Sequence, residues 1–280
     1  MPVTIIKSSG QREKFDILKL EESLVRSGAP AEVASDIALK VEKQITPSFH
    51  TKAIFRLAKR LLRQYNAVSG MKYSLKKALS ALGPSGYPFE RYVSRILKVH
   101  GYDVEVDKIL AGYCVSHEVD VFAVRDNEYS VIECKYHSNG GTPTDVKVAL
   151  YIHSRFEDIK KALSSVPGEE NAVYRGWLVT NTRCTTDAIK YAECAGLKIV
   201  SWRYPAKESL EKMIEGKRLY PVTVLPAARR KALGPLFNND IILAQEIADM
   251  DERDFLRKSG LDTATARTIK KQADALCPCG

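Results

Sequence analysis

The stretch "VFAVRDNEYSVIECKYH", residues 121–137, contains two apolar runs on either side of the polar turn "RDNE". Val, Phe, Ile and Tyr favour strands, and Asp126 and Asn127 tolerate the positive φ angles of a two-residue hairpin turn. The stretch therefore predicts an antiparallel hairpin. Its second strand reads as part of a core, yet it carries Glu133 and Lys135 near its end.

The position of the turn fixes which residues of the two strands face each other. A turn centred on the Asp-Asn pair places Arg125 opposite Glu128, and the same register places Asp120 opposite Glu133. Facing residues have Cβ atoms about 4.5–5.5 Å apart on one face, and Lys135 shares that face because side chains alternate along a strand. A four-residue loop with the same centre preserves this register, whereas a three-residue loop breaks it.

Two facing carboxylates repel each other by roughly 3 kcal/mol at about 5 Å and an effective dielectric constant near 20. A hard divalent cation such as Mg²⁺ between them reverses the sign of this interaction. A lysine beside the ion can orient a water or stabilise a charged transition state, so the pattern predicts hydrolysis of a phosphodiester. The alternative is a Glu–Lys pair on a solvated strand face with Asp120 in a turn. The apolar strands and the second acid at the matching position favour the metal site.

Length and composition indicate a multidomain protein with a sizeable core. The chain has 280 residues, of which 45% are hydrophobic, and 43 Lys+Arg against 34 Asp+Glu give a net charge of +9. A basic surplus is compatible with a polyanionic partner, although it also serves solubility alone. The sequence shows no membrane span and no signal peptide, and its six cysteines form no disulfide framework, so we expect a cytoplasmic protein with reduced thiols.

The first 85 residues predict a small helical domain opened by a hairpin. "VTIIKSSGQREKF" reads as strand, turn and strand, and the next helix begins with Asp16 as its N-cap and ends at Gly28. "PAEVASDIALKVEKQI" and "HTKAIFRLAKRLLRQYN" predict two further helices. Two prolines and two glycines in "LGPSGYPFE" mark the boundary of this domain.

The remaining chain predicts a mixed sheet followed by helices. "PFERYVSRILKVHGYDV" has a helical apolar stripe, and "TPTDVKVALYIHSRFEDIKKALSSV" predicts another helix with Thr144 as its candidate cap. The strand "RGWLVTN", the helix "TTDAIKYAECAG" and the strand "LKIVSW" form a βαβ unit, which predicts parallel strands. From about residue 206 the pattern is mostly helical, with "PVTVLP" as an interruption.

Residues 86–204 resemble the PD-(D/E)xK nuclease superfamily and, within it, the Mrr-like restriction endonucleases. The resemblance implies DNA cleavage that depends on Mg²⁺ or Mn²⁺, with Asp120, Glu133 and Lys135 as catalytic residues, the first two as metal ligands, and Glu90 as a further acid. It rests on four motifs, which are "GYPFERYVSRILKVHGYDV", "HEVDVFAV", "IECKYH" and "GWLVTNTRCTTDAIKYAECAGLKIV".

Four neighbouring residues leave alternatives open. Glu118 shares a face with Asp120 in a regular strand, so it is either a further acid near the metal or an exposed acid at a strand end. His117 is either a supporting group of the site or a surface histidine. Tyr151 and Arg155 lie one helical turn apart and either contact phosphate or form the solvated flank of a helix.

Residues 3–85 resemble the ATP-cone, a regulatory nucleotide-binding domain. The motif "IIKSSGQREKFDILKL" carries Lys7, Glu13 and Lys19 at positions that contact nucleotide in that family, and "FHTKAI" carries Thr51. Lysines near a helix N-terminus suit a triphosphate. The family's usual "K-R-D-G" reads "KSSG" here, so one basic contact is missing. The alternative is a small helical DNA-binding domain.

Together these patterns predict an α/β protein of three parts. Residues 1–85 form a mostly helical ATP-cone, residues 86–205 form a restriction-endonuclease-like mixed sheet flanked by helices, and residues 206–280 form a helical accessory domain. The predicted function is a metal-dependent DNA endonuclease regulated by ATP or dATP. Domains of the ATP-cone kind often act through assembly, so we expect a homo-oligomer that responds to nucleotide. The alternatives are a non-catalytic, nucleotide-responsive DNA-binding protein and an RNA-directed nuclease.

Overall fold

The structure is a computed structural model that describes residues 3–7, 10–165 and 172–278. These residues form two sheets and thirteen α-helices. The strands are β1 (Thr4–Ile6), β2 (Arg12–Lys14), β3 (Phe49–His50), β4 (Asp103–Ala111), β5 (Ser116–Arg125), β6 (Glu128–Lys135), β7 (Val173–Thr180) and β8 (Lys198–Val200). The helices are α1 (Ile17–Arg26), α2 (Ala31–Glu42), α3 (Thr51–Tyr65), α4 (Ala67–Lys72), α5 (Leu75–Leu79), α6 (Tyr87–Val99), α7 (Val146–Leu163), α8 (Thr186–Ala195), α9 (Leu210–Gly216), α10 (Arg230–Asn238), α11 (Ala244–Ala248), α12 (Glu252–Ser259) and α13 (Thr263–Leu276).

The N-terminal segment packs α1, α2 and α3 with a small sheet of order β2-β1-β3. The predicted hairpin is confirmed, since β1 and β2 are antiparallel, although Ser8 and Ser9 of its turn lie outside the described residues. Asp16 caps α1 as predicted, because its carboxylate accepts hydrogen bonds from the next helical amides, and Gly28 follows the helix with a φ of 90°. The strand β3 was not predicted, and it pairs in parallel with β1.

The helices α4 and α5 connect the N-terminal segment to the rest of the protein. Their apolar residues, such as Met71 and Leu79, belong to the same buried core as α6 and the C-terminal helices. The Thr223 hydroxyl donates to the Ala78 carbonyl oxygen at 2.8 Å, which ties α5 to a short 3₁₀ helix at Val222–Val224. The end of the N-terminal segment is therefore packed firmly against both following segments.

The central sheet has the order β4-β5-β6-β7-β8. The first three strands are antiparallel, and β6, β7 and β8 are parallel, which confirms the predicted βαβ unit around α8. One face packs against α6 and the C-terminal helices, and the other packs against α7 and α8. The strand β4 was not predicted, and it pairs with β5 as an edge strand.

The predicted hairpin register is confirmed from the turn to the fifth pair of residues. Asp126 and Asn127 have φ angles of 52° and 61°, as the turn type requires. Arg125 pairs with Glu128, and the ladder continues to the pair of Val121 with Ile132. These buried pairs anchor the strand ends that follow them.

The helix α7 begins one residue later than its predicted cap. Its N-cap is Asp145, whose carboxylate accepts a hydrogen bond from the Val148 amide at 3.3 Å. The prediction of Thr144 as the cap is wrong because the Thr144 hydroxyl is buried among other polar side chains at the ends of the strands.

The C-terminal segment is helical, as predicted, and it holds α6 in place. The buried Tyr92 hydroxyl donates to the Leu219 carbonyl oxygen at 2.7 Å, and Arg95 forms ion pairs with Asp240 and Glu246 at 2.7 and 2.9 Å. Since Glu90 lies on the same helix, these contacts also fix the position of its backbone. Among the described residues, no helix combines the length and the apolar character needed to cross a bilayer.

Candidate active site

The strands β5 and β6 separate just where the two predicted metal ligands lie. The last pair of the ladder joins Val121 and Ile132. Asp120 precedes Val121 and Glu133 follows Ile132, so the confirmed register places Asp120 opposite Glu133. Its Oδ2 atom accepts a hydrogen bond of 2.7 Å from the Cys134 backbone amide. This bond replaces the next contact of the ladder and holds the Asp120 carboxylate beside the end of β6.

Glu133 is largely but not fully buried, and like charges surround it. Burial raises its pKa to about 8, and the charges of Asp120, Glu90 and Glu118 contribute to the rise. Burial also raises the pKa of Asp120, with smaller contributions from Asp107 and Glu118, while the hydrogen bond from Cys134 opposes it. The fold therefore concentrates negative charge that it does not fully neutralise.

Glu90 joins this group of acids from α6, the helix that packs against one face of the sheet. It lies in the first turn of α6, where its Oε1 atom packs so closely over Gly86 that a Cβ atom there would lie 2.7 Å away. Burial raises its pKa to about 7, and the charges of Asp120, Asp107 and Glu118 raise it further. The structure thus brings the helix acid and the two strand acids into one electrostatic cluster.

Arg155 supplies the positive charge of the cluster. Its guanidinium forms an ion pair with the Glu133 carboxylate and donates to the Glu118 carbonyl oxygen. Its side chain is 17% exposed, so a solvated helix flank is the wrong interpretation for this residue. Tyr151 is 62% exposed, and its ring lies 5.5 Å from the Arg155 guanidinium.

Lys135 has a different environment from Glu133. It is exposed at the last position of β6 and makes no ion pair within the part of the chain that the structure describes. Since it lies two residues beyond Glu133, its side chain leaves the same face of the strand. Its ammonium group is therefore available to an anionic substrate.

Asp107 is a candidate residue that the sequence interpretation missed. It has a φ of 54° inside β4, between Val106, which pairs with Val121, and Lys108, which pairs with Val119. This register places Asp107 beside Asp120, so three acids lie in a row across β4, β5 and β6. A positive φ inside a strand is uncommon for any residue other than Gly, and Asp tolerates it better than most. The alternation of charged and apolar residues in "DVEVDKILA" was the sequence signal that could have predicted β4 and, with it, the position of Asp107.

His117 and Glu118 have separate roles. The His117 Nε2 atom lies 2.8 Å from Asp158 Oδ2, and this contact holds the pKa of Asp158 well below its usual range. Asp158 also accepts a hydrogen bond from the Cys114 amide at 2.8 Å, so His117 helps to tie the β4–β5 connection to α7. Glu118 is exposed and contributes charge to the acid cluster.

A buried polar network supports the ends of β6 and β7. His137 Nε2 lies 3.0 Å from the Thr144 hydroxyl, which lies 3.1 Å from the Thr180 hydroxyl. Asn181 accepts from the His137 amide at 2.9 Å and donates to its carbonyl oxygen at 2.8 Å. These bonds fix the chain immediately after Lys135.

The donor set of the acid cluster fits a hard divalent cation. Carboxylate oxygens are the ligands that Mg²⁺ and Mn²⁺ prefer, and the remaining positions are usually filled by water and phosphate. Within the described residues, however, no three His, Cys, Asp or Glu side chains are already arranged to hold an ion. The ion pair of Arg155 with Glu133 is consistent with that observation.

The predicted nucleotide contacts lie on the small N-terminal sheet. Lys7 and Glu13 form an ion pair of 2.7 Å across the β1–β2 hairpin, and Thr51 begins α3 directly after β3. Because Ile6 pairs with His50, Lys7 and Thr51 lie one residue beyond the same ladder. Lys19 is exposed and pairs with Asp16 at 3.3 Å.

Two family descriptions match the chain. Residues 83–204 match the family described as "Restriction endonuclease", and residues 220–277 match "AF1548-like, C-terminal". The chain is 35% identical over 181 residues to an uncharacterized protein of Archaeoglobus fulgidus, covering 65% of this chain and 97% of that protein. The solved structure titled "Crystal Structure of Protein of Unknown Function AF1548" shares 33% identity and a TM-score of 0.58 over 69% of this chain and 98% of that one.

These matches define a protein with a restriction endonuclease domain and a mixed five-stranded sheet. More particularly, the chain belongs to the AF1548-like family. The domain suggests a nuclease, and a restriction endonuclease domain implies DNA as the substrate. Both matched ranges begin after residue 82, so neither shows an ATP-cone in the N-terminal segment.

Proposed function

We propose that the protein is an endonuclease that hydrolyses DNA phosphodiester bonds with Mg²⁺ or Mn²⁺ as its cofactor. The observation that carries the proposal is the cluster of half-buried acids, with pKa values raised to about 7 and about 8 at Glu90 and Glu133, beside Lys135, which forms no ion pair within the described residues. Perturbed carboxylates in such a cluster are typical of functional sites.

The chain's own residues divide the work of this reaction. Asp120 and Glu133 would hold the cation, whose charge polarises the phosphate and acidifies a water molecule. The exposed ammonium of Lys135 orients the attacking water and offsets the charge that develops on the phosphate oxygens. Glu90, with a pKa of about 7, is suited to accept a proton near neutral pH.

The nuclease proposal is tested on plasmid DNA and on RNA, each with and without Mg²⁺. Cleavage of DNA that requires the metal supports it. Binding without cleavage would point to a non-catalytic DNA-binding protein, and cleavage of RNA in preference to DNA would point to an RNA-directed nuclease. Both outcomes refute the proposal.

We further propose that ATP or dATP binds the N-terminal segment and controls the nuclease. Lys7, Glu13, Lys19 and Thr51 would contact the nucleotide, and the shared ladder end of Lys7 and Thr51 supports this assignment. Lysine ammonium groups at a helix N-terminus suit a triphosphate.

Calorimetry with ATP and dATP tests the nucleotide site. Lys7→Ala combined with Lys19→Ala should weaken binding, whereas Lys40→Ala, a matched control on α2, should not. Unchanged binding in the double variant would refute the assignment. Sizing of the protein with and without nucleotide tests whether a homo-oligomer responds to it.

A further inference from the structure

A group of cations lies where the three segments of the chain meet. They come from α3, α5, the loop after β7, the turn after β8 and the residue before α10, and we call them the basic surface. Its members are Lys59, Arg63, Lys76, Lys77, Arg183, Arg203 and Arg229.

Two lysines show that these cations face one another. Burial lowers the pKa of Lys59, and repulsion from Lys77, Arg229 and Arg63 lowers it further. Lys59 and Arg63 are one turn apart on α3, so they leave the same side of that helix. The N-terminal and C-terminal segments thus present positive charge to a common region.

Lys76 extends this region to the nuclease domain. Burial lowers its pKa, and the charges of Arg183 and Arg203 lower it further, while the Glu211 carboxylate opposes them. Glu211 already forms an ion pair with Arg203, whose Nε and Nη2 atoms donate hydrogen bonds to the Glu211 carboxylate at 2.9 and 3.3 Å.

The basic surface has few counter-charges of its own. Within the described parts of the chain, Arg203 is its one member with an ion pair. The fold therefore holds Arg63, Lys77 and Arg229 around Lys59 and holds Arg183 and Arg203 around Lys76, and the two groups adjoin at the consecutive residues Lys76 and Lys77. Such an arrangement is repulsive by itself, and an anion placed among the cations reverses the sign of that interaction.

The basic surface begins beside the strand that carries Glu133 and Lys135. The Tyr136 hydroxyl donates to the Ser80 carbonyl oxygen at 2.8 Å, which ties β6 to the end of α5. A Cβ atom on Gly140 would lie 3.9 Å from Lys76 Cε, so the loop after β6 runs directly past this lysine. The cations and the acid cluster therefore share one end of the sheet.

We propose that the basic surface binds the phosphate backbone of duplex DNA and leads it to the acid cluster. This inference rests on the proposed nuclease function and adds where the DNA lies. Phosphate contacts by Lys and Arg position a duplex without reading its sequence. The DNA would then touch the N-terminal, central and C-terminal segments at once.

The test is DNA binding by full-length protein that carries Glu133→Ala, in chelator, so that cleavage plays no part. One variant replaces one cation from each segment, with Lys59→Ala, Arg183→Ala and Arg229→Ala. A matched control makes the same change of charge away from the surface, with Lys40→Ala, Lys98→Ala and Lys258→Ala, also one residue from each segment. If the half-buried Lys59 is needed for folding, Lys77→Ala replaces that change.

The first variant should bind duplex DNA about tenfold more weakly or worse, and the slope of log affinity against log salt should fall by about 2–3. The control should change affinity less than about threefold, since long-range charge is screened. Equal losses in both variants, or tighter binding of duplex RNA than of duplex DNA, would overturn the inference. A selective loss in the first variant, together with no cleavage by the wild type, would refute the nuclease function and leave the surface established.

Discussion

The guanidinium of Arg155 on α7 is ion-paired with the carboxylate of Glu133 on β6. Both side chains are largely buried, at 17% and 14% exposure. Arg155 thus provides positive charge at a carboxylate that has Asp120, Glu90 and Glu118 nearby, and the pKa of Glu133 remains raised to about 8 even with this partner. Removing one partner of a buried ion pair destabilises the fold, because the remaining charge is left buried and uncompensated. Arg155 would therefore compete with the divalent cation that we propose for Glu133.

Replacing Arg155 should strengthen metal binding in the absence of DNA. Arg155→Met keeps most of the side-chain volume and removes the competing charge, so the dissociation constant for Mn²⁺ or Mg²⁺ should fall about tenfold or more, which is about 1.4 kcal/mol. Above about pH 8, where Glu133 is ionised, the metal-free variant should melt at a lower temperature because the Glu133 charge is left buried without a partner. Calorimetric titration with Mn²⁺ measures the affinity.

Arg175→Met is the matched control for this experiment. Arg175 pairs with Glu128 at 2.8 Å at the other end of β6, away from the acid cluster. Its replacement should leave metal affinity unchanged. Equal affinities for the two variants would show that Arg155 does not compete with the ion.

The raised pKa values predict that the metal-free protein loses stability as the pH rises. The Glu133 carboxyl binds a proton in the folded state up to about pH 8 but releases it near 4.5 in the unfolded chain, and Glu90 behaves in the same way up to about 7. Their contribution to stability is therefore complete below pH 4.5 and is lost progressively as the pH approaches 8. Thermal melts in chelator between about pH 5 and 8.5 should show a falling melting temperature.

The variant Glu133→Gln separates this effect from other titrations. The glutamine amide stays neutral throughout this pH range, so the melting temperature of the variant should fall less steeply than that of the wild type. If Mg²⁺ binds the ionised carboxylates as proposed, its stabilising effect on the wild type should grow as the pH rises. A pH dependence that is identical in wild type and variant would contradict the account of Glu133.

Mg²⁺ should stabilise the native protein through Asp120 and Glu133 together. At roughly ten times its dissociation constant, a ligand that binds only the native state adds about 1.4 kcal/mol. This corresponds to a rise of about 3–6 °C in melting temperature. Asp120→Asn can still accept the hydrogen bond from Cys134 and relieves the repulsion, so without metal it should be at least as stable as the wild type.

The same variant should lose most of the rise caused by Mg²⁺, because one of the two ligands has lost its charge. Thermal melts of both proteins in chelator and in Mg²⁺ provide the comparison. A full response to Mg²⁺ in Asp120→Asn would show that the two acids do not share an ion.

The hairpin could be predicted from the sequence because its turn and its register depend on residues that are close together in the chain. Asp126 and Asn127 fix the turn, the turn fixes the register, and alternation then places Asp120, Glu133 and Lys135. The cap at Asp16 and the βαβ unit were predictable for the same reason, since each depends on a few neighbouring residues.

The rest of the site depends on contacts between distant parts of the chain. The pair of Arg155 with Glu133 is set by how α7 lies on the sheet, which no local pattern gives. Asp107 was missed because the strand that carries it, β4, was itself missed. The prediction of Thr144 as a cap failed because local propensity gave way to a buried network built by residues 36 and 38 positions away.

The nuclease proposal places DNA cleavage at the acid cluster and Lys135. The most direct test is the rate at which supercoiled plasmid is cut in Mg²⁺ by the wild type, Glu133→Ala and Lys135→Ala, each shown to bind the plasmid in chelator. Both variants should bind DNA but cut it at least about a hundredfold more slowly than the wild type. Equal cutting by all three proteins, in preparations free of other nucleases, would contradict it.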